Sequence, residues 1–188
     1  MMPISPRLSR LSRLVHRFRD DSRGSLTVEA VVILPILFWA MLAMLVFFDG
    51  YRQSSLNIKA AYTIGDMLSR EVDPIDNAYL NGLYQLQQQL ARSANAPKMR
   101  VTVARYDGAK KEFRRDWSHQ RGGVTALSDN DVRAMTDRLP AMPNNERVIL
   151  VETWADYEPP FNVGLKRQDL YNFVFTRPRF APQLVFES

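Results

Sequence analysis

The stretch RGSLTVEAVVILPILFWAMLAMLVFF, Arg23–Phe48, carries one acidic residue, Glu29, in a run otherwise suited to a nonpolar medium. From Ala30 to Phe48 there are 19 consecutive residues without a charge, rich in Leu, Val, Ile, Phe, Met and Ala. At about 1.5 Å of rise per residue, a helix of that length reaches ~28 Å, close to the hydrocarbon thickness of a bilayer. A chain of 188 residues has too little mass to enclose such a helix on every side, so a membrane span is expected rather than a core helix. Six arginines precede the span and the flank after it is weakly charged, which predicts a cytoplasmic N-terminus and an extracytoplasmic remainder. Trp39 falls mid-span and is read as a packing residue. Pro35 removes one backbone hydrogen bond, so a local kink is expected there.

The net charge of +5 is concentrated at one end. Residues 1–24 hold Arg7, Arg10, Arg13, Arg17, Arg19 and Arg23 against Asp20 and Asp21, and the rest has 19 basic and 18 acidic residues. A near-neutral body offers no extended footprint for nucleic acid, so that partner class is set aside. Cysteine is absent, which removes disulfides and thiolate metal sites. The leader lacks a small-residue cleavage site after the apolar run and does not read as a secretory signal peptide. Within it Leu8, Leu11, Leu14, Val15 and Phe18 recur at spacings of three and four. That pattern fits a basic amphipathic helix on an anionic leaflet. It fits a disordered basic leader equally well.

An ionised carboxylate at the edge of hydrocarbon costs several kcal/mol unless it is neutralised or stays wet. Glu29 directly precedes the uncharged run, so a hydrated position among headgroups is one account. The other is a dedicated cation. Cleavage after Gly24 would create an α-amino group at Ser25, four residues before Glu29 and on the same helical face.

A basic leader ending in Gly, a Glu at the fifth position after it and an apolar helix resemble type IV prepilins. The fuller string DDSRGSLTVEAVVILPILF resembles the TadE-like pseudopilins of the tight-adherence (Flp, type IVb) pilus system, which open with a similar RG…VE…LP segment. The ending FVFTRPRF, Phe173–Phe180, is similar to the RPR-containing tail of such proteins. The match covers roughly residues 19–48 plus that echo. One position departs from the pattern: Ala30 follows the glutamate where the family usually has an aromatic residue. The resemblance implies that Gly24 precedes the scissile bond of a prepilin peptidase. It makes Ser25 the new N-terminus and Glu29 the register-setting charge for an adjacent subunit's amine. Implied partners are that peptidase, other pilins and pseudopilins, the inner-membrane pilus assembly platform and the lipid bilayer.

Beyond Phe48 the apolar spacing of Leu56, Ala60, Ile64, Met67 and Leu68 predicts that the helix continues as an amphipathic stalk. Gly50 and Gly65 weaken it without ending it, and Pro74 marks a boundary. A second helix is expected from about Asp76 to Ala94, with Leu80, Leu83, Leu86 or Gln87, and Leu90 on one face. Alternation predicts a strand over Met99–Asp107, a turn at Asp107–Gly108 and a partner strand near Lys111–Trp117. HQRGGVTALSDN reads as a loop, and Ser128 as the cap of a short helix through about Arg138 with Asp131 at its third position. RVILVETWADY, Arg147–Tyr157, is the strongest strand, with Ile149, Val151, Thr153, Ala155 and Tyr157 on one face, and LYNFVFTRP gives a last one over Leu170–Pro178. The expected architecture is α+β and pilin-like: a transmembrane helix and stalk, then three or four antiparallel strands packed on helices. The segments are a leader over 1–24, helix and stalk over 25–72, and an extracytoplasmic domain over 73–188.

No catalytic constellation stands out, and neither an enzyme activity nor a cofactor is expected. His16 lies in the leader and His119 is the one histidine outside it, which with no cysteine argues against zinc. Ser54–Ser55 has no adjacent base. Asp129–Asn130–Asp131 lacks the glycine and distal glutamate of an EF-hand and is read as a helix-capping turn. Trp154, Tyr157 and Phe161 near Pro159–Pro160 read as core aromatics, with an exposed binding patch as the alternative. The expected function is a minor pseudopilin or pilus-assembly protein of the inner membrane. The alternative is an uncleaved signal-anchored bitopic envelope protein whose outer domain binds a partner.

Overall fold

The computed structural model describes residues 24–93 and 95–187. The leader reading over 1–23, with its Leu8-to-Phe18 pattern and His16, lies outside the described residues. The chain divides into two compact units, with the boundary between Val46 and Phe47.

Helix α1 spans Gly24–Arg70 and is helical throughout, Pro35 included. In the first unit most of its apolar side chains are exposed, from Val28 and Val31 through Ile36, Trp39 and Leu45, and Val46 is buried. Only 6% of its most apolar 18-residue window is buried, and by length and composition it is a candidate membrane span.

In the second unit the rest of α1 turns amphipathic. Asn57, Ala60, Ala61, Ile64 and Leu68 form its buried stripe. Ala60, Ile64 and Leu68 of the expected face are buried as read, whereas Met67 is 37% exposed and Leu56 only half-buried, because they flank the Asn57–Ile64–Leu68 row. Helix α2, Asn77–Ala91, starts at Asp76, whose carboxylate accepts from the Tyr79 N–H at 2.8 Å. It ends earlier than Ala94 because Arg92 adopts the left-handed conformation, φ +46°. Its buried face is Leu80, Leu83, Gln87 and Ala91, with Leu90 rotated to the edge. Gln87 is tolerated there because its Nε2 donates to the Lys98 carbonyl at 3.1 Å, tying the helix to the first strand.

The strands β1 (Lys98–Asp107), β2 (Glu112–Arg121), β3 (Arg147–Tyr157) and β4 (Gln168–Thr176) form one antiparallel sheet in the order β2-β1-β3-β4. Alternation is lost in the two central strands because both sheet faces are covered. On one face Met99, Val101, Val103, Ile149 and Val151 pack with Ile64 and Leu68 of α1 and Leu80 and Leu83 of α2. On the other, Ala104, Val148, Leu150 and Phe113 pack with Leu127, Val132, Leu139 and Met142. That second layer contains helix α3 (Asp129–Ala134) and a 3₁₀ turn over Thr136–Arg138. Ser128 caps α3 as expected, in a reciprocal box with Asp131.

Two sequence-based boundaries move. Strand β2 runs on to Arg121, so His119 sits on a strand opposite Val101 and not in a loop. Asp116 bulges out opposite Val103 and Ala104, which shifts the β1–β2 register by one residue at that point. The C-terminal segment after Pro178 forms a strap. Ile75 N–H donates to the Val185 carbonyl at 2.9 Å, and Glu187 N–H donates to the Ile75 carbonyl at 2.8 Å. Leu184 enters the first core, its carbonyl accepts from the Trp117 indole at 2.8 Å, and the Phe186 ring stacks 3.7 Å from His119.

Candidate functional site

The sequence-selected residues Gly24, Ser25, Glu29 and Pro35 all fall on the first-unit part of α1. Gly24 and Ser25 occupy its first turn, and Glu29 follows Ser25 by four residues, one helical turn along the same side. Glu29 is exposed and has no hydrogen-bond or salt-bridge partner among the described residues. Around it the helix presents Val28, Val31, Val32, Leu34, Ile36, Leu37 and Phe38, apolar on every side. A helix apolar all round meets lipid or other helices, and its lone carboxylate is the polar feature that can fix a register.

Among the described residues no group of three or more His, Asp or Glu side chains could hold a metal ion. Asp129 and Asp131 are used up locally. The Arg115 backbone N–H and then the Arg133 side chain hold the Asp129 carboxyl below its usual range, and the Ser128 hydroxyl and N–H do the same for Asp131. Two shallow clefts, of 370 and 270 Å³, are lined by Glu146, Arg147 and Arg177 and by Arg105, Asp107 and Arg114. Their charges are spent on one another. Arg177 pairs with Glu146, Arg114 with Asp107 at 3.4 Å, and Arg147 with Asp116 at 2.8 Å.

The aromatic group at the end of β3 divides. Tyr157 is buried, Trp154 is half-buried and Phe161 is exposed, so the three form no common patch. An aromatic row lies instead on the outer face of β3–β4, where Trp154, Tyr171, Phe173 and Phe175 follow one another across and along the strands. Beneath it Glu152, whose side chain is 2% exposed, accepts from Arg100 Nε at 2.7 Å and from the Tyr171 hydroxyl at 2.8 Å. Burial first, and the Glu152 hydrogen bond second, push the Tyr171 phenol upward, so it stays a protonated donor. Arg100 lies over Trp154 at 5.2 Å and Arg138 over Phe173 at 4.5 Å. No local motif marks this group, although a lone glutamate inside RVILVETW is a signal that an internal partner exists.

No family model, curated protein or solved structure matches this chain.

Proposed function

We propose that this chain is a minor pseudopilin or pilus-assembly protein of a tight-adherence type IV pilus system, anchored in a bacterial inner membrane with its N-terminus cytoplasmic. The observation that carries the reading is the exposed apolar helix whose lone acid stands one turn after Ser25. A prepilin peptidase cuts between Gly24 and Ser25, and the new ammonium pairs with Glu29 of an adjacent subunit. Two charges within hydrogen-bonding range in a low dielectric attract far more strongly than in water, so the pair sets the stagger between neighbouring helices. Lateral packing of their apolar side chains then supplies the bulk of the association energy. The folded α+β unit remains extracytoplasmic, in the manner of a pilin head.

One residue favours a second reading. Ala30 stands where the processing motif usually has an aromatic side chain, which suits an uncleaved signal anchor whose outer domain binds an envelope partner. Mass spectrometry of the protein's N-terminus in its native membrane separates the two. The pseudopilin reading expects a chain beginning at Ser25 and loss of that species on Gly24→Lys. A chain beginning at Met1 refutes it. Glu29→Ala is expected to leave cleavage intact and to reduce co-assembly with partner subunits at least tenfold. Normal assembly of that variant refutes the charge pairing.

A further inference from the structure

Within the second unit, strand β3 and the outer part of α1 run past each other in opposite directions. A Cβ on Gly65 would lie 3.9 Å from Val151, and one on Gly50 would lie 3.3 Å from the Tyr157 ring and 3.6 Å from Leu165. The strand from Val151 to Tyr157 covers ~20 Å and the helix from Gly65 back to Gly50 covers ~22 Å, so the two paths agree. The Tyr157 hydroxyl donates to the Asp49 carboxylate, which fastens the end of β3 to the first charged residue after the uncharged run. Strand β3 therefore travels toward Phe48. Strand β4 sets out in the reverse direction from Gln168, opposite Tyr157. The connection between them, Glu158–Arg167, turns at the Phe48 end of the unit.

That end is also where the uncharged run stops. Gly50 lies ~3 Å beyond Phe48 along the helix, and a headgroup layer is about 5–7 Å deep on each side of the hydrocarbon. The connection reaches this level with an uncharged stretch, PPFNVGL over 159–165. Phe161 is 54% exposed, and Tyr51, next to Gly50 on α1, is 76% exposed. Pro159 and Pro160 stiffen the turn, and Gly164, at φ +99°, lets the chain reverse. The flanking charges stay at its base, Glu158 before and Lys166 and Arg167 after, and Arg167 pairs with Asp156. The surface offered is thus apolar, with an aromatic ring at the depth where such rings collect in membrane proteins. We propose that the β3–β4 connection is a second membrane contact, seating Phe161 in the headgroup layer of the bilayer that α1 enters. Two contacts fix the rotation of the sheet above the membrane, which one helix alone leaves free. The inference rests on α1 being a membrane span.

The absence of cysteine makes a direct test available. The full-length chain carrying Asn162→Cys with a nitrobenzoxadiazole label is reconstituted in vesicles of phosphatidylethanolamine and phosphatidylglycerol. Asn162 is exposed, so the label displaces no packed side chain. Lipids spin-labelled at the headgroup or at mid-chain report its depth. The headgroup spin label is expected to quench Asn162→Cys roughly threefold more than the mid-chain label does. The same contrast is expected against Lys110→Cys, in the β1–β2 turn at the other end of the sheet, ~33 Å away along the strands. Adding Phe161→Asp is expected to abolish the quenching at Asn162→Cys. Labelled Leu37→Cys, inside the uncharged run, reads the span separately and is expected to be quenched by the mid-chain label. If Leu37→Cys is quenched and Asn162→Cys is not, the span stands and the proposal is overturned, leaving Phe161 as a surface for a protein partner. If Leu37→Cys escapes the mid-chain label, the span reading falls and the proposal falls with it. Quenching at Asn162→Cys that survives Phe161→Asp overturns the seating of Phe161.

Discussion

Replacing Arg100 with methionine isolates the energetics of the ion pair under the aromatic row. The substitution keeps the aliphatic stem and removes the guanidinium, which lies over Trp154 and which Glu152 meets at 2.7 Å. Glu152 is left 2% exposed with the Tyr171 hydroxyl as its remaining side-chain donor. Orphaning one member of a buried pair costs about 3–5 kcal/mol, because an uncompensated charge is left in a poor solvent. For a unit of this size each kcal/mol lowers the melting temperature by about 3 °C, so Arg100→Met is expected to melt about 9–15 °C lower. The double variant Arg100→Met/Glu152→Met replaces the pair with apolar volume and is expected to regain most of the loss, since such swaps are often neutral or better. Urea titration of the full chain in detergent, followed by tryptophan fluorescence, measures both, with Trp154 next to the substitution as reporter. A single-variant loss below about 1 kcal/mol, or a double variant weaker than the single, refutes the argument that Glu152 is held by its partner.

Acid should loosen the C-terminal strap. Burial, aided by Arg121, holds the His119 imidazole below its ordinary range, so the unfolded chain takes up a proton at a pH where the folded one does not. Stability from this residue is therefore present at neutral pH and is lost as pH falls below the ordinary imidazole value. His119→Phe is expected to flatten that part of the stability-against-pH curve, and an unchanged slope would count against the assignment. Gly65→Ala is expected to raise stability by about 0.5–1 kcal/mol, because alanine is the better helix former. A Cβ there would meet Val174, Val151 and Thr176 at ordinary contact distances of 3.7–3.9 Å. A lower denaturation midpoint for Gly65→Ala would show that the helix-to-sheet gap is tighter than these distances imply.

The readable parts of the fold were those where one local rule acted alone. Ser128 with Asp131 three residues on is a complete capping signal, and it forms. The β-branched run Arg147–Tyr157 forms a strand over those same bounds. Errors arose where tertiary partners decide. HQRGG has no strand pattern and reads as a loop, yet pairing with β1 and stacking on Phe186 hold His119 in β2. The strap was invisible because its proline-rich sequence carries no periodicity and its order comes from distant Ile75 and Trp117. For the candidate site, the spacing from Gly24 to Glu29 and the apolar run are local features that fall on one helix. The Arg100–Glu152–Tyr171 group joins three strands, and no single segment announces it.

The strap also sets a timetable for folding. Ile64 and Leu184 meet in one core from opposite ends of the folded unit, so the pocket that α1 and α2 leave for Leu184 stays open until the last element arrives. Contacts this distant along a chain form slowly, and the apolar surface awaiting them is sticky in the meantime. Newly made copies should therefore pass through an interval in which a holding chaperone, or a neighbour's tail, can occupy that vacant socket first.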